Sequence, residues 1–375
     1  MPQNLDQETR NSIFWVSVII DSSLVVANLV IITRKIPKAQ RKDVSLLLWG
    51  CLKTLVIMGI LSHVCTEALI QFGTNATPAG VDEDHYHVNT SDLSSSINFC
   101  ENDFVHSRHV AEPSNSISSL TTYCPLALLG LHLRPHSLLL KPDVGKLRFT
   151  LAYLSLFAIG LGSFWLHSQL TAVSQGGDEL PILWYLGIAT FIVVDCLLDI
   201  RATPGAKKHR TSLWLVGFST ISSAVATLTY IFNREDFFFF HMIFTTYLIL
   251  ILLGEGILTF SDFSKYGDSG SFREKVLLPL VSCNIWVYLS ASFLWVSEML
   301  FCHDATTDFR WGATLAPWIF DRAIHAGWHC TSALLVFMTI QILLSVWGFQ
   351  QGWGEPQLRW FGAPYVYFEK KTRQA

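Results

Sequence analysis

Three histidines at two places in the sequence carry the strongest chemical signal. His325 and His329 are four residues apart, so in a helix they lie on the same face. His167 lies in another apolar stretch, and Ser163 precedes it at the same spacing. Three imidazoles from two helices form a three-ligand zinc site with an open position for water. An isolated membrane histidine is more often a packing or relay residue, so the interpretation depends on the three meeting.

Two further residues suit hydrolysis at such a site. Asp178 is a candidate general base that accepts a proton as water attacks a carbonyl. Ser163 can donate a hydrogen bond to the resulting oxyanion. Each residue also has a simpler structural explanation. Asp178 can cap a helix that begins near Pro181, and Ser163 can be a small packing residue in a glycine-containing helix.

The composition indicates a chain that spans a membrane. Of the 375 residues, 51% are hydrophobic and 15% are charged, against about 25% charged residues in soluble domains. The apolar residues come in blocks, which argues against a disordered chain and a soluble two-domain protein. The 26 basic and 29 acidic residues nearly balance, so no basic surface for nucleic acid is expected.

Nine apolar stretches approach the roughly 20 residues that a helical span requires. We therefore expect an all-α polytopic membrane protein with nine spans. They are predicted at about 12–33, 45–72, 115–133, 149–170, 180–199, 212–232, 236–260, 276–302 and 323–348. The 115–133 stretch is the weakest, because serine and threonine fill its first half.

The basic residues predict the orientation of these spans. Most lie in four connections and the C-terminal tail, and such segments are cytosolic by the positive-inside rule. The N-terminus is then luminal and the C-terminus cytosolic. Asn75 and Asn89 begin glycosylation sequons in a connection assigned to the lumen. The same topology brings His167, Asp178 and His325 to the luminal face.

Three blocks of sequence resemble the alkaline ceramidases, a family of seven-span zinc amidases within the superfamily of adiponectin-receptor-like proteins. The first block is Phe-Cys-Glu-Asn-Asp-Phe at 99–104, with Ala-Glu-Pro-Ser-Asn-Ser-Ile-Ser at 111–118. The second is Gly-Leu-Gly-Ser-Phe-Trp-Leu-His at 160–167, with Asp-Glu-Leu-Pro at 178–181. The third is His-Ala-Gly-Trp-His at 325–329.

The resemblance implies a role for each residue of the zinc site. His167, His325 and His329 match the zinc ligands, Asp178 the residue that activates water, and Ser163 the residue that helps hold the carbonyl. The reaction would be hydrolysis of the amide of ceramides, phytoceramides or dihydroceramides to a sphingoid base and a fatty acid. The substrate would enter from the bilayer of the endoplasmic reticulum or Golgi membrane.

The resemblance also implies two features of the segment before the family's first span. Cys100 and Cys302 match a luminal disulfide pair. A calcium site matches Asn98, Phe99 (through its carbonyl), Glu101, Asp103 and Glu112. Oxygen ligands in a loop suit this hard cation. Here the usual acid and amide are exchanged between Asn98 and Asp103.

Residues 98–368 then form a seven-helix ceramidase-type domain. Residues 1–73 add two transmembrane helices that the family does not normally carry. Residues 74–97 form a luminal linker and 369–375 a cytosolic tail. Within the domain, Gly177 stands where the family usually has a bulky apolar residue, which predicts a looser hold on Asp178.

Other functions are compatible with parts of this pattern. A membrane receptor of the same superfamily would keep zinc for structure only. A transporter or channel would use the intramembrane acids Asp195, Glu255 and Glu298. A related zinc hydrolase would act on another lipid amide or ester.

Overall fold

Long apolar helices dominate the computed structural model of the chain. The structure describes residues 41–74, 95–97, 99–101, 103–104, 107, 109–133, 144–201, 208–234, 237–302 and 322–369. Within these residues, seven helices are long and apolar enough to cross a membrane. The predicted all-α polytopic class is thereby confirmed. The predicted span at 12–33 lies outside the described residues.

The described elements follow one another as a series of helices that ends in a hairpin. The helices are α1 (Arg41–Thr74), α2 (Pro113–Leu133), α3 (Val144–Gln169), α4 (Ala172–Arg201), α5 (Lys208–Phe232), α6 (Phe237–Phe260), α7 (Ser269–Phe272), α8 (Leu278–Cys302) and α9 (Ile324–Gln350). A 3-10 turn, Ser264–Tyr266, precedes α7, and a π-helical turn, Arg273–Leu277, joins α7 to α8. The strands are β1 (Glu355–Phe361) and β2 (Ala363–Glu369).

Helix α9 lies at the centre of the bundle. It is buried along nearly its whole length and contacts α1, α2, α3, α4 and α8. Helix α3 packs against both α2 and α4. Two of the three predicted zinc ligands are on α9 and the third is on α3, so this packing decides whether the three histidines meet.

Helix α2 forms where the weakest span was predicted, at 115–133. It is not among the seven apolar helices, because many of its buried residues are polar: Ser114, Asn115, Ser116, Ser118, Ser119 and Thr122. Contacts with α1, α3 and α9 cover it. Its hydroxyl groups therefore face other helices, which explains the low hydropathy.

Helix α4 begins at Ala172, eight residues before the predicted start at 180. Thr171 is its N-cap, since Thr171 Oγ1 accepts a 3.1 Å hydrogen bond from the Ser174 amide and Ser174 Oγ accepts one from the Thr171 amide. This is a reciprocal capping box. Asp178 therefore lies inside the helix, and the explanation of Asp178 as a helix cap is wrong.

The C-terminal hairpin was not predicted. Strands β1 and β2 pair antiparallel, with Phe361 opposite Ala363, and Gly362 makes the turn at a φ of 72°, a conformation that favours glycine. The hairpin is held under α9, where Gln341 Oε1 accepts a 2.9 Å hydrogen bond from the Val366 amide. Its two strands have seven residues each, so a search for long apolar blocks does not detect them.

Helix α1 is part of the bundle although it belongs to the predicted N-terminal extension. One face is buried and consists of Cys51, Thr54, Met58, Ser62 and Thr66, of which all but Met58 are small. The opposite face exposes large apolar side chains such as Trp49, Ile60 and Val64. The Thr54 hydroxyl donates to the carbonyl of Gly362 in the hairpin turn at 2.9 Å. Near the other end, Arg322 pairs with Glu67 at 2.7 Å.

Candidate active site

The structure brings the three predicted histidines together. His167 lies in the last turn of α3, and His325 and His329 lie in the first two turns of α9. All three side chains are at most 3% exposed. One ring nitrogen from each lies within 4.8 Å of the others. Among the described residues, this is the one group of three or more potential metal ligands.

The distances within the cluster suit a small tetrahedral ion. His167 Nε2 and His325 Nε2 are 3.2 Å apart. Two ligands at 2.0–2.1 Å from a tetrahedral zinc ion lie about 3.4 Å from each other. The ring centroids of His329 are 5.0 Å from His167 and 4.4 Å from His325. The three imidazoles therefore fit a shared zinc ion with little rearrangement.

The second nitrogen of each ring has its own oxygen partner. His167 Nδ1 contacts Glu112 Oε2, and His325 Nδ1 lies 2.5 Å from Glu298 Oε2. His329 Nδ1 lies 2.8 Å from Ser118 Oγ. Such contacts fix the orientation of ligating histidines and raise their basicity. Because each Nδ1 is engaged, each Nε2 is left to face the centre of the cluster.

The sequence did not reveal these orienting residues. Glu112 was predicted only as a calcium ligand and Glu298 only as a residue of a transport path. Ser118 and its neighbour Ser119, whose Oγ is 3.1 Å from His329 Nδ1, were not singled out. A usable signal was present for Glu298, since the predicted topology puts this acid at the luminal end of its span, the same end as His325.

Ser163 connects the cluster to Asp178. Ser163 Oγ is 3.4 Å from His329 Nε2 and 2.8 Å from Ser119 Oγ. The Ser163 hydroxyl also lies beside the Asp178 carboxylate. Asp178 is partly buried and lines a cavity together with His325. A carboxylate that can accept a proton thus lies one hydroxyl group away from Nε2 of His329.

The two helices that carry Ser163 and Asp178 touch at glycines. A Cβ added to Gly162 on α3 would lie 1.9 Å from the carbonyl oxygen of Gly177 on α4. A Cβ added to Gly177 would lie 2.8 Å from the ring of Trp165. Only glycine permits this approach of the two backbones. The structure thus gives Gly177 a packing role beside Asp178, and the looser hold on Asp178 stays a prediction.

An apolar cavity extends from the histidine cluster into the bundle. His325 and Asp178 line its polar end, and Thr339 lines the opposite end. His325 and Thr339 are fourteen residues apart on α9, which corresponds to about 21 Å of helix. This exceeds half of the roughly 30 Å hydrocarbon core of a bilayer. The cavity is long enough for a lipid chain whose reacting group lies at the histidines.

Comparison with known proteins agrees with this geometry. A family model described as Ceramidase matches residues 91–367. The chain belongs to the ceramidase family. The match includes the histidines, Asp178 and the cavity, and helix α1 lies outside it. The resemblance seen in the sequence is confirmed, and with it the prediction of a hydrolase of the ceramidase type.

Three named relatives align with this chain over most of their length. An alkaline ceramidase of Arabidopsis thaliana is 25% identical over 296 residues, which covers 75% of this chain and 96% of the relative. Alkaline ceramidase 3 of Mus musculus is 24% identical over 250 residues, with coverages of 66% and 81%. An alkaline ceramidase of Drosophila melanogaster is 22% identical over 238 residues, with coverages of 63% and 71%.

The segment predicted to bind calcium lies against the histidine cluster of this ceramidase-family chain. Both carboxylate oxygens of Glu101 accept backbone hydrogen bonds at the start of α2, from Ser114 at 2.8 Å and Asn115 at 2.9 Å. Burial and the nearby charge of Glu112 raise the pKa of Glu101 to about 8. The ring of Phe99 packs 4.0 Å from the ring of His325.

Several predicted features fall partly outside the described residues. Asn98 of the calcium set and the sequons at Asn75 and Asn89 lie outside them. Cys100 is buried, but the side chain of its predicted partner Cys302 is outside the described part of the chain. The remaining six cysteines of the sequence lie among the described residues and form no disulfide there.

The three acids of the transport hypothesis have separate surroundings. Asp195 pairs with Arg148 at 2.6 Å, and Arg148 also packs over the ring of Phe191. Glu298 belongs to the histidine cluster. Glu255 lies in a different polar group deeper in the bundle. Nothing in this arrangement favours one continuous path for an ion.

Proposed function

We propose that this member of the ceramidase family hydrolyses the amide bond of ceramides, phytoceramides or dihydroceramides within the membrane. The products are a sphingoid base and a fatty acid. The observation that carries the proposal is the convergence of three oriented imidazoles beside Asp178 at the polar end of a long apolar cavity. An enzyme for a lipid amide requires this combination, because the apolar chain and the reacting group must be held at once.

His167, His325 and His329 would hold a zinc ion through their Nε2 atoms. Three histidine ligands and an open fourth position are the composition of a catalytic zinc site. Zinc in that position supplies Lewis acidity, which activates water near neutral pH and polarises a carbonyl. Glu112, Glu298 and Ser118 keep the rings oriented while substrate enters and leaves.

Asp178 and Ser163 would carry the proton transfer and the charge stabilisation. Asp178 accepts a proton from the attacking water while the new carbon–oxygen bond forms. It returns that proton to the amide nitrogen as the carbon–nitrogen bond breaks, so the amine leaves as a neutral sphingoid base. The hydroxyl of Ser163 donates a hydrogen bond to the carbonyl oxygen, where negative charge develops.

The proposed activity is tested with purified protein and a panel of ceramides, with and without a zinc chelator. We expect fatty-acid release that the chelator abolishes. Asp178→Asn should lower turnover at least about 100-fold, because general-base catalysis contributes that much, and should retain bound zinc. Asp262→Asn, which changes an exposed aspartate, is the matched control. Absence of release from every ceramide, or release that a chelator does not affect, would contradict the proposal.

We also propose that calcium binds the segment formed by Asn98, Phe99, Glu101, Asp103 and Glu112. The position of Glu101 at the start of α2, close to the charge of Glu112, supports a divalent cation there. Because Glu112 also contacts His167, calcium would stabilise the orientation of a zinc ligand.

We also propose an orientation for the chain in the membrane. The distribution of basic residues supports a luminal N-terminus and a cytosolic C-terminus in the endoplasmic reticulum or Golgi membrane. A luminal location of Cys100 and Cys302 allows their disulfide to form and persist. The sequons at Asn75 and Asn89 would then be accessible to glycosylation.

A further inference from the structure

A second buried polar cluster lies deep in the bundle, away from the histidines. Asn284 Nδ2 donates to Glu255 Oε2 at 3.3 Å and to Thr339 Oγ1 at 3.1 Å. The Tyr185 side chain lies beside Thr339 and Glu255, and its hydroxyl donates to the carbonyl of Val336 at 3.4 Å. Glu255 and Asn284 are each 2% exposed. We call Tyr185, Glu255, Asn284 and Thr339 the floor cluster.

The floor cluster closes the far end of the apolar cavity. Two members of the cluster, Tyr185 and Thr339, line the cavity, and Asn284 contacts Thr339. The four residues come from α4, α6, α8 and α9, the helices that contribute most of the residues lining the cavity. Beyond the cluster the bundle is filled by buried side chains such as Leu258, Leu280 and Leu343. A chain that fills the cavity therefore ends at these polar groups.

Two oxygen atoms of the floor cluster have capacity for another hydrogen bond. Glu255 Oε1 and Asn284 Oδ1 are buried and have no hydrogen-bond partner among the described residues. Buried polar groups in a membrane protein are costly when unpaired and are usually functional. The proposed hydrolysis does not use them, since Thr339, the cluster residue on α9, lies about 21 Å along that helix from His325.

We propose that the floor cluster recognises a hydroxyl group at the far end of the substrate's N-acyl chain. This inference rests on the proposed ceramide hydrolysis and names a substrate class, the N-(ω-hydroxyacyl) sphingoid bases. A hydroxyl group both donates and accepts, so it can pair with Thr339 Oγ1 at the cavity surface and with Glu255 Oε1 of the same cluster. A terminal methyl group would make neither hydrogen bond, and a terminal carboxylate would bring a second buried acid to a cluster that holds no basic group.

The test compares pairs of ceramides that differ only in a terminal hydroxyl on the N-acyl chain, over a series of chain lengths. At the length that reaches the floor cluster, we expect kcat/KM to favour the hydroxylated member by at least about tenfold, because a site built to bind a hydroxyl rejects the analogue without it. Shorter pairs should be cleaved without preference. Equal kcat/KM within every pair would overturn the inference.

Variants locate the preference in the floor cluster. Thr339→Val and, independently, Glu255→Gln should reduce the hydroxyl preference to less than about threefold. Thr245→Val, a matched change in another residue that lines the cavity, should keep the full preference. A preference that survives both floor variants would overturn the assignment to this cluster. Failure of the proposed hydrolysis is distinct, since the wild-type protein would then cleave no member of any pair.

Discussion

Each histidine of the cluster has a fixed orientation because its two ring nitrogens have different partners. The Nδ1 atoms of His167 and His325 contact the carboxylates of Glu112 and Glu298, and the Nε2 atoms of the two rings lie 3.2 Å apart. A carboxylate behind an imidazole fixes its orientation and strengthens it as a metal ligand. The same carboxylate also balances the charge of an ion held in a buried site.

Loss of the Glu298 charge should weaken metal binding. We expect Glu298→Gln to lower zinc affinity about 10–100-fold, measured by competition with a chelator of known affinity. Glu355→Gln, at an exposed glutamate of β1, provides the control and should leave zinc affinity unchanged. Equal affinity for zinc in the two variants would show that Glu298 does not support His325.

At this scale the sequence predicted which residues meet but not what orients them. The spacing of His325 and His329 and the topology were sufficient to place His167, Asp178 and Ser163 nearby. Glu298 and Ser118 could not be assigned in the same way, because a contact between residues on different helices depends on helix rotation. Periodicity in one segment does not determine that rotation.

At the scale of elements, the crossing of α3 and α4 determines the distance between Ser163 and Asp178. The carbonyl of Gly177 occupies the space where a side chain on Gly162 would begin. The spans themselves were predictable from hydropathy. The start of α4 was not, because Thr171 and Ser174 cap it through side-chain bonds that a search for apolar blocks does not register.

Gly162→Ala should force the two helices apart. We expect a loss of stability of about 1–3 kcal/mol, as for other overpacked sites. Turnover should fall about 100-fold, because a shift of 1 Å in a catalytic group has that effect. Gly217→Ala, at a helical glycine with no atom within 4 Å of the added Cβ, should lower neither, because alanine favours the helix more than glycine does. Thermal unfolding and fatty-acid release measure the two effects, and normal turnover in Gly162→Ala would contradict this explanation of the crossing.

At the scale of the whole molecule, α1 packs against the family's helical domain and against the hairpin. Helix α1 lies outside the region that matches the ceramidase family and yet contacts α2, α8, α9 and β2. The sequence predicted the helix but gave no reason for its small-residue face. Close packing of helices in a membrane requires such a face, and the partner surface becomes visible only in the folded bundle.

A larger side chain on the buried face of α1 should destabilise the protein. Ser62 is buried and Val64, two residues away, is exposed. We expect Ser62→Leu to cost about 1–3 kcal/mol through overpacking, seen as a lower apparent Tm in detergent. Val64→Leu should have no measurable effect. If both variants melt like the wild-type protein, α1 does not contribute to the stability of the bundle.

The proposed amide hydrolysis depends on a metal ion held by the three histidines. The most direct test removes metal from the purified protein with a chelator and then returns zinc in steps, while bound zinc and fatty-acid release from ceramide are measured together. We predict that release rises in proportion to bound zinc up to about one ion per chain, and that His325→Ala shows neither. Full release by the metal-free protein would contradict the account.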